Sequence, residues 1–222
     1  MNIEIKGIGK SFGKKTVLEN VSFSCKSGEC IGILGENGSG KSTLFGVLTG
    51  LHSGTGSFVC DGVDLIKDSK TRSKLVGFVP QSPPLLNELN GLDNLRLWYG
   101  SKELKDELKD GVLNMLGIGD FVKTTVSKMS GGMKKRLSIG CSVAHKPKIL
   151  FLDEPTAALD LICKENIAGY LRSFAEGGGV AVIATHDAAE LSLCDKLYIL
   201  KGGRLTEYTG SRETAEIIKF LV

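Results

Sequence analysis

The sequence lacks the features that would send a chain into a membrane, along a secretory route or onto a nucleic acid. Its longest apolar runs, such as "VAVIAT" at 180–185, are strand-length, far short of the roughly 20 residues a membrane span needs. The opening "MNIEIKGIGK" alternates like a strand and has no apolar signal-peptide centre. Six cysteines occur (Cys25, Cys30, Cys60, Cys141, Cys163 and Cys194), with no CxxC pair and no histidine at zinc-finger spacing. Several sit in apolar surroundings, as in "GCSVAH", so buried, reduced thiols are expected. No Lys/Arg block stands out, and a formal charge of +3 is too small to imply nucleic acid. Internal repeats and low-complexity tracts are also missing. What remains is a 222-residue chain, 41% hydrophobic and 24% charged, of ordinary globular composition. That length buries a core without metal or disulfide staples. A cytoplasmic protein is expected, with any membrane business conducted through a partner.

The pattern along the chain alternates between strand and helix. "NIEIKGI", "VLENVSFSC" and "CIGIL" read as strands, "STLFGVLTGL" as a helix stopping near Gly50, and "GSFVCDGVDL" as a hairpin turning at Asp61-Gly62. "KLVGFVP" reads as a strand ending at a proline. From about residue 83 to 145 the apolar period turns helical, in "LDNLRLWYG", "ELKDELKDGVLNML" and "MKKRLSIGCSVAH". Strand "KILFLD", a helix over 163–176, strand "GVAVIAT", helix "DAAELSL", strand "KLYIL", hairpin "KGGRL" and a last helix from Ser211 follow. The expected fold class is α/β: a mostly parallel core sheet, an antiparallel β subdomain and an inserted helical subdomain. A single domain spans 1–222, with core and β subdomain at about 1–82 and 146–222 and the helical subdomain at about 83–145. No regulatory domain is expected after the last helix.

"GENGSGKS" (35–42) fits G-x-x-x-x-G-K-[ST] in its confirming context, an apolar strand before and a helix after. Gly35, Gly38 and Gly40 let backbone approach phosphate oxygens, and the loop and helix start present N–H groups to an anion. Lys41 is expected on the β and γ phosphates of a nucleotide. Ser42 supplies a hydroxyl for Mg²⁺, and Thr43 a further donor. "ILFLDEP" brings two acids to the C-terminal end of a strand, where ligands bind in α/β sheets. Asp153 is expected to hold Mg²⁺ and Glu154 to activate the attacking water. A second anion-gripping helix start, "KMSGGMKKRL" at 128–137, goes unexplained by one site in one chain.

These motifs, in this order, resemble the ATPase domain of ABC transporters over nearly the whole chain, a P-loop NTPase fold. "GENGSGKST" is similar to the family's Walker A motif, with Gly35, Glu36, Asn37, Gly38, Ser39, Gly40, Lys41, Ser42 and Thr43 at ATP. "VPQ" resembles the Q-loop, "MSGGM" the signature, "ILFLDEP" Walker B, "AALD" the D-loop and "ATHD" the switch-histidine motif. The resemblance implies Mg²⁺-dependent ATP hydrolysis and a head-to-tail pair of ATPase domains. It places Ser130, Gly131 and Gly132 over the partner's ATP, Asp160 at the dimer interface, Gln81 as a sensor of Mg²⁺ and of the membrane partner, and His186 at the γ phosphate. Phe12, in "SFGKK", takes the position that stacks on adenine. It implies permease subunits in the membrane, an ATPase peripheral on the cytoplasmic face, and no nucleic-acid partner.

Each residue also has a bland reading. Phe12 could be core, Gln81 a surface turn and His186 a structural histidine. The apolar Leu85, Leu86, Leu89 and Trp98 could form the insert's own core or meet the membrane partner. Departures from the family pattern are Met129 and Met133 in the signature, Ala157 for a frequent serine, and Leu161 for a frequent proline. The methionine form points to exporter-type ATPases. The expected activity is therefore an ATPase subunit driving transport, with export favoured. The alternatives are a soluble ABC ATPase of the iron–sulfur assembly kind, and a nucleotide-binding regulator without turnover. The second is weakened by the presence of Glu154 and His186.

Overall fold

The computed structural model describes residues 1–82, 84–157, 159–185, 188–213, 216–217 and 220. The chain opens with a long hairpin, β1 (Asn2–Phe12) and β2 (Lys15–Lys26), whose alternating pattern buries Ile3, Ile5, Ile8, Leu18, Val21 and Phe23 on one side. β3 (Cys30–Leu34) leads to α1 (Lys41–Thr49), which Gly50 stops in a left-handed cap. β4 (Thr55–Cys60) and β5 (Val63–Asp64) form the second hairpin. Its turn is at Asp61-Gly62, both with positive φ, as the sequence predicts. β1, β2, β4 and β5 make an antiparallel sheet in the order β2-β1-β4-β5.

A short helix, α2 (Ser69–Leu75), precedes β6 (Val76–Val79). The sequence reading starts the strand at Lys74 and misses this helix. No α2 residue is buried, so it has no apolar period to detect. Asp68 caps it, accepting from the Thr71 N–H at 2.9 Å and hydroxyl at 2.6 Å. The helical layer follows as α3 (Gly91–Arg96), α4 (Ser101–Lys109), α5 (Val112–Met115) and α6 (Gly131–Ser142). The stretch "ELKDELKDGVLNML" is two helices rather than one, broken at Asp110-Gly111. The Glu107 carboxylate takes the Val112 N–H at 2.8 Å there.

The core resumes with β7 (Ile149–Asp153), α7 (Leu161–Glu176), β8 (Val180–Ala184), α8 (Ala188–Leu191), β9 (Lys196–Lys201) and β10 (Arg204–Tyr208). The six-stranded sheet runs β10-β9-β3-β8-β7-β6, parallel except for the β9–β10 hairpin. β3, β7 and β8 are buried at every position, which is why they read as unbroken apolar runs. One sheet face packs on α1 and the antiparallel sheet through Phe45, Phe58 and Phe151. The other packs on α6, α7 and the helical layer through Ile139, Ile167, Leu171, Leu95 and Leu113. Half of the stretch expected as the final helix, residues 211–222, lies outside the described residues. All six cysteines are buried and unpaired, and burial pushes the Cys141 thiol up to about 12.

Candidate nucleotide site

β3 and β7 are separated by one strand, β8. Their C-terminal ends therefore bracket a crevice, and both acid- and phosphate-binding segments emerge beside it. The loop after β3 turns with Gly38 at φ 82° and Gly40 at φ 108°, conformations that side chains resist. It delivers the free N–H groups of α1's first turn to the crevice. The Lys41 ammonium is folded over the loop, donating to the Gly35 carbonyl at 2.6 Å and the Glu36 carbonyl at 3.1 Å. Burial lowers its pKa, against the pull of Glu154 and Asp153. The buried Ser39 hydroxyl finds no hydrogen-bond partner among the described residues, as suits a loop built to receive a ligand's acceptors.

β7 ends in the buried carboxylates of Asp153 and Glu154. Burial raises the Asp153 pKa, while a hydrogen bond from Ser42 opposes the shift. Glu154 has a backbone φ of 48°, unusual for a residue with a side chain. Its N–H is fixed to the Ala184 carbonyl of β8 at 2.9 Å, and its carboxylate accepts from the Gln81 amide at 2.9 Å. Gln81, just beyond β6, is thus joined to Glu154, a contact that its expected role as a sensor of Mg²⁺ and of the membrane partner does not include. Asn37, Gly38, Gly40, Lys41, Ser42, Thr43, Gln81 and Glu154 line one cavity of about 470 Å³, with Val17 as its apolar wall.

The hydroxyl of Ser42 beside the Asp153 carboxylate is a small set of hard oxygen donors. It suits a cation that takes its remaining ligands from phosphates and water. No cluster of three or more His, Cys, Asp or Glu able to hold a metal occurs among the described residues, so a self-sufficient metal centre is not built there.

Other expected residues lie apart. Phe12 is half exposed at the hairpin end, edge-on to His52 and under the Lys10 ammonium, and does not line the cavity. Ser130 caps α6, accepting from the Met133 N–H at 3.2 Å, and is exposed with Gly131. A side chain at Gly131 would meet nothing within 4 Å, whereas one at Gly132 would strike Cys163 Sγ at 2.6 Å. Asp160 caps α7 through the Cys163 N–H at 2.8 Å. The expected His186 lies outside the described residues. The sequence reading passed over Lys135, a buried lysine whose ammonium reaches the backbone beneath Gln81 and Asp153. It also passed over Glu190, whose buried carboxylate accepts the Thr156 N–H at 2.8 Å. A lone acid in a helical run and a lysine in a basic helix carry no sequence signal of burial.

A phosphate loop and a paired-acid strand end flanking one strand of a covered parallel sheet define a P-loop nucleotide hydrolase. A family model described as "ABC transporter" matches residues 18–157. A linearmycin resistance ATP-binding protein of Bacillus subtilis (strain 168) is 34% identical over 91% of this chain and 67% of its own length. A lantibiotic transport ATP-binding protein of Streptococcus pyogenes is 33% identical over 97% of this chain and 95% of its own. Among solved structures, the dimeric post-hydrolysis state of an ATP-binding cassette bound to ADP and Pi superposes with a TM-score of 0.81 at 28% identity. It covers 94% of this chain and all of that one. The chain belongs to the ABC transporter family, as an ATP-binding and ATP-hydrolysing subunit.

Proposed function

We propose that this subunit powers export through separate membrane subunits, working as a Mg²⁺-dependent, head-to-tail ATPase dimer on the cytoplasmic face. The observation that carries the reading is the split between two glycine motifs. One, with Lys41 and Ser42, closes a cavity together with Glu154 and Gln81. The other, at Ser130 and Gly131, is exposed and has open space in front of it. A helix start that faces open space among the described residues is suited to completing a site across a two-fold interface.

In this reading the phosphate loop holds ATP, and Ser42 and Asp153, with Gln81, would hold Mg²⁺, which would supply positive charge to the phosphates. Glu154 takes a proton from the attacking water, with Gln81 fixing its carboxylate; the family resemblance assigns the γ phosphate to His186, which lies outside the described residues. Lys41 and the partner's signature turn stabilise the transferring group, so catalysis is positioning plus electrostatics. Phe12 stacks on adenine, and Asp160 lies at the dimer seam. The half-exposed Leu86, with Leu97 and Trp98, offers apolar surface for the permease, on a helical subdomain of about 83–145. Export is favoured over iron–sulfur assembly because the relatives named above are a resistance protein and a lantibiotic transport protein.

The test is a Glu154→Gln subunit captured with Mg·ATP from gently solubilised membranes. Expected are ATP-dependent dimers, a turnover lower on the order of 10²–10⁴-fold, and co-purification of a multi-span membrane protein. Unchanged turnover would sink Glu154 as the base. Dimers accompanied by soluble proteins alone would sink the permease.

A further inference from the structure

Lys135 is a buried charge for which the hydrolytic chemistry above has no task. It is 5% exposed and lies about one turn into α6, past Ser130, Gly131 and Gly132. Its ammonium donates to the carbonyls of Pro80 and Gln81, both at 3.0 Å, and at a longer 3.4 Å to that of Asp153. These acceptors come from two segments more than 70 residues apart in sequence, the turn after β6 and the end of β7.

Both peptides underlie Glu154. The Asp153 carbonyl belongs to the peptide leading into Glu154, which holds a φ of 48°. The Gln81 carbonyl belongs to the residue whose side chain grips the Glu154 carboxylate at 2.9 Å. One ammonium therefore fixes the backbone under the acid and the backbone under its clamp. Burying an ammonium is costly unless its donors are used, and a hydrophobic side chain of similar size would fill the space more cheaply. Burial lowers the Lys135 pKa, and the nearby carboxylates of Asp153, Glu190 and Glu154 oppose that shift.

We propose that Lys135 is a positioning residue for hydrolysis: it holds Gln81 and Glu154 in register and transmits the position of the signature turn to this chain's own acid. When α6 shifts as Ser130, Gly131 and Gly132 engage a partner's nucleotide, the ammonium moves with it and carries both peptides. The inference rests on the site reading above.

The experiment compares Lys135→Met, which keeps the stem, with Lys135→Gln, which keeps a donor, using Glu154→Gln as reference. On the full chain, kcat, KM, ATP affinity and amide hydrogen exchange of the nucleotide-free protein over 80–82 and 153–156 are read together. Lys135→Met is expected to lose about 10- to 100-fold in kcat, as misplacement of a catalytic group does. ATP affinity should stay within about threefold, since ATP binding rests on the loop and Lys41. Exchange should quicken in both segments, and Lys135→Gln should recover part of kcat. Combining Lys135→Met with Gln81→Ala should be no slower than the slower single variant, because both act through Glu154.

Unchanged kcat in Lys135→Met, fully additive loss with Gln81→Ala, or unaltered exchange in both segments overturns the proposal. Should Lys135→Met not fold, Lys135→Gln and Lys135→Arg carry the same readouts. An active Glu154→Gln would break the site reading itself, whereas an inactive Glu154→Gln beside a normal Lys135→Met breaks this inference alone.

Discussion

At the residue scale, charge is placed where burial makes it effective. Lys41 is held over the loop by two carbonyls, so no rearrangement of distant elements is needed to turn it onto a phosphate. Replacing it with alanine removes a charged donor from a buried site. Lys41→Ala is expected to weaken ATP binding by at least about tenfold, read by nucleotide titration. Undiminished affinity would remove Lys41 from the phosphate site. Glu154 shows the opposite economy: its left-handed backbone costs roughly 1–3 kcal/mol and persists because β8 and Gln81 hold it. The loop and the acid pair were legible in sequence because they are contiguous and their spacing is dictated by the phosphate. The Gln81–Glu154 hydrogen bond was not, since it joins residues 73 positions apart.

At the element scale, α6 and α7 meet through the smallest possible side chain. A Cβ at Gly132 would sit 2.6 Å from Cys163 Sγ, near the capped start of α7. Gly132→Ala is expected to destabilise the fold by about 1–3 kcal/mol, as overpacking does. Adding Cys163→Ala should restore most of that in denaturant midpoint. No recovery would mean that the strain lies elsewhere. The same comparison separates packing from chemistry: the double variant regains stability, while any loss in turnover that persists tests the proposed role of Gly132 at a partner's nucleotide. Elements with an apolar period, such as α1 and α6, were found from sequence. α2 was not, because it is solvated and held by a cap and short-range hydrogen bonds.

At the scale of the whole molecule, the two sheets and α1 share one aromatic cluster. Phe151 of β7 lies 5.2 Å from Phe45 and 6.1 Å from Phe58, ring centre to ring centre, and is fully buried. Phe151→Ala should cost about 3–5 kcal/mol. Because the sheet's other face carries the helical layer, the loss should appear in far-UV circular dichroism and in Trp98 fluorescence with one common midpoint. Separated midpoints would show that the helical layer unfolds on its own. Among the described residues no helix is long and apolar enough to cross a membrane.

The sequence by itself determined the class of fold, the phosphate loop, the acid pair and the family. Each is written in local spacing: strand runs, glycines where backbone meets phosphate, a lysine and a hydroxyl at fixed offsets. Only the tertiary structure decided that Gln81 holds Glu154, that Lys135 is buried beneath both, that Phe12 stands outside the cavity, and that Gly132 is required by Cys163 while Gly131 faces open space. The reason is physical. Local patterns specify backbone conformation within a few residues, but hydrogen bonds and steric contacts between distant segments exist only after the sheet and the helical layer have packed.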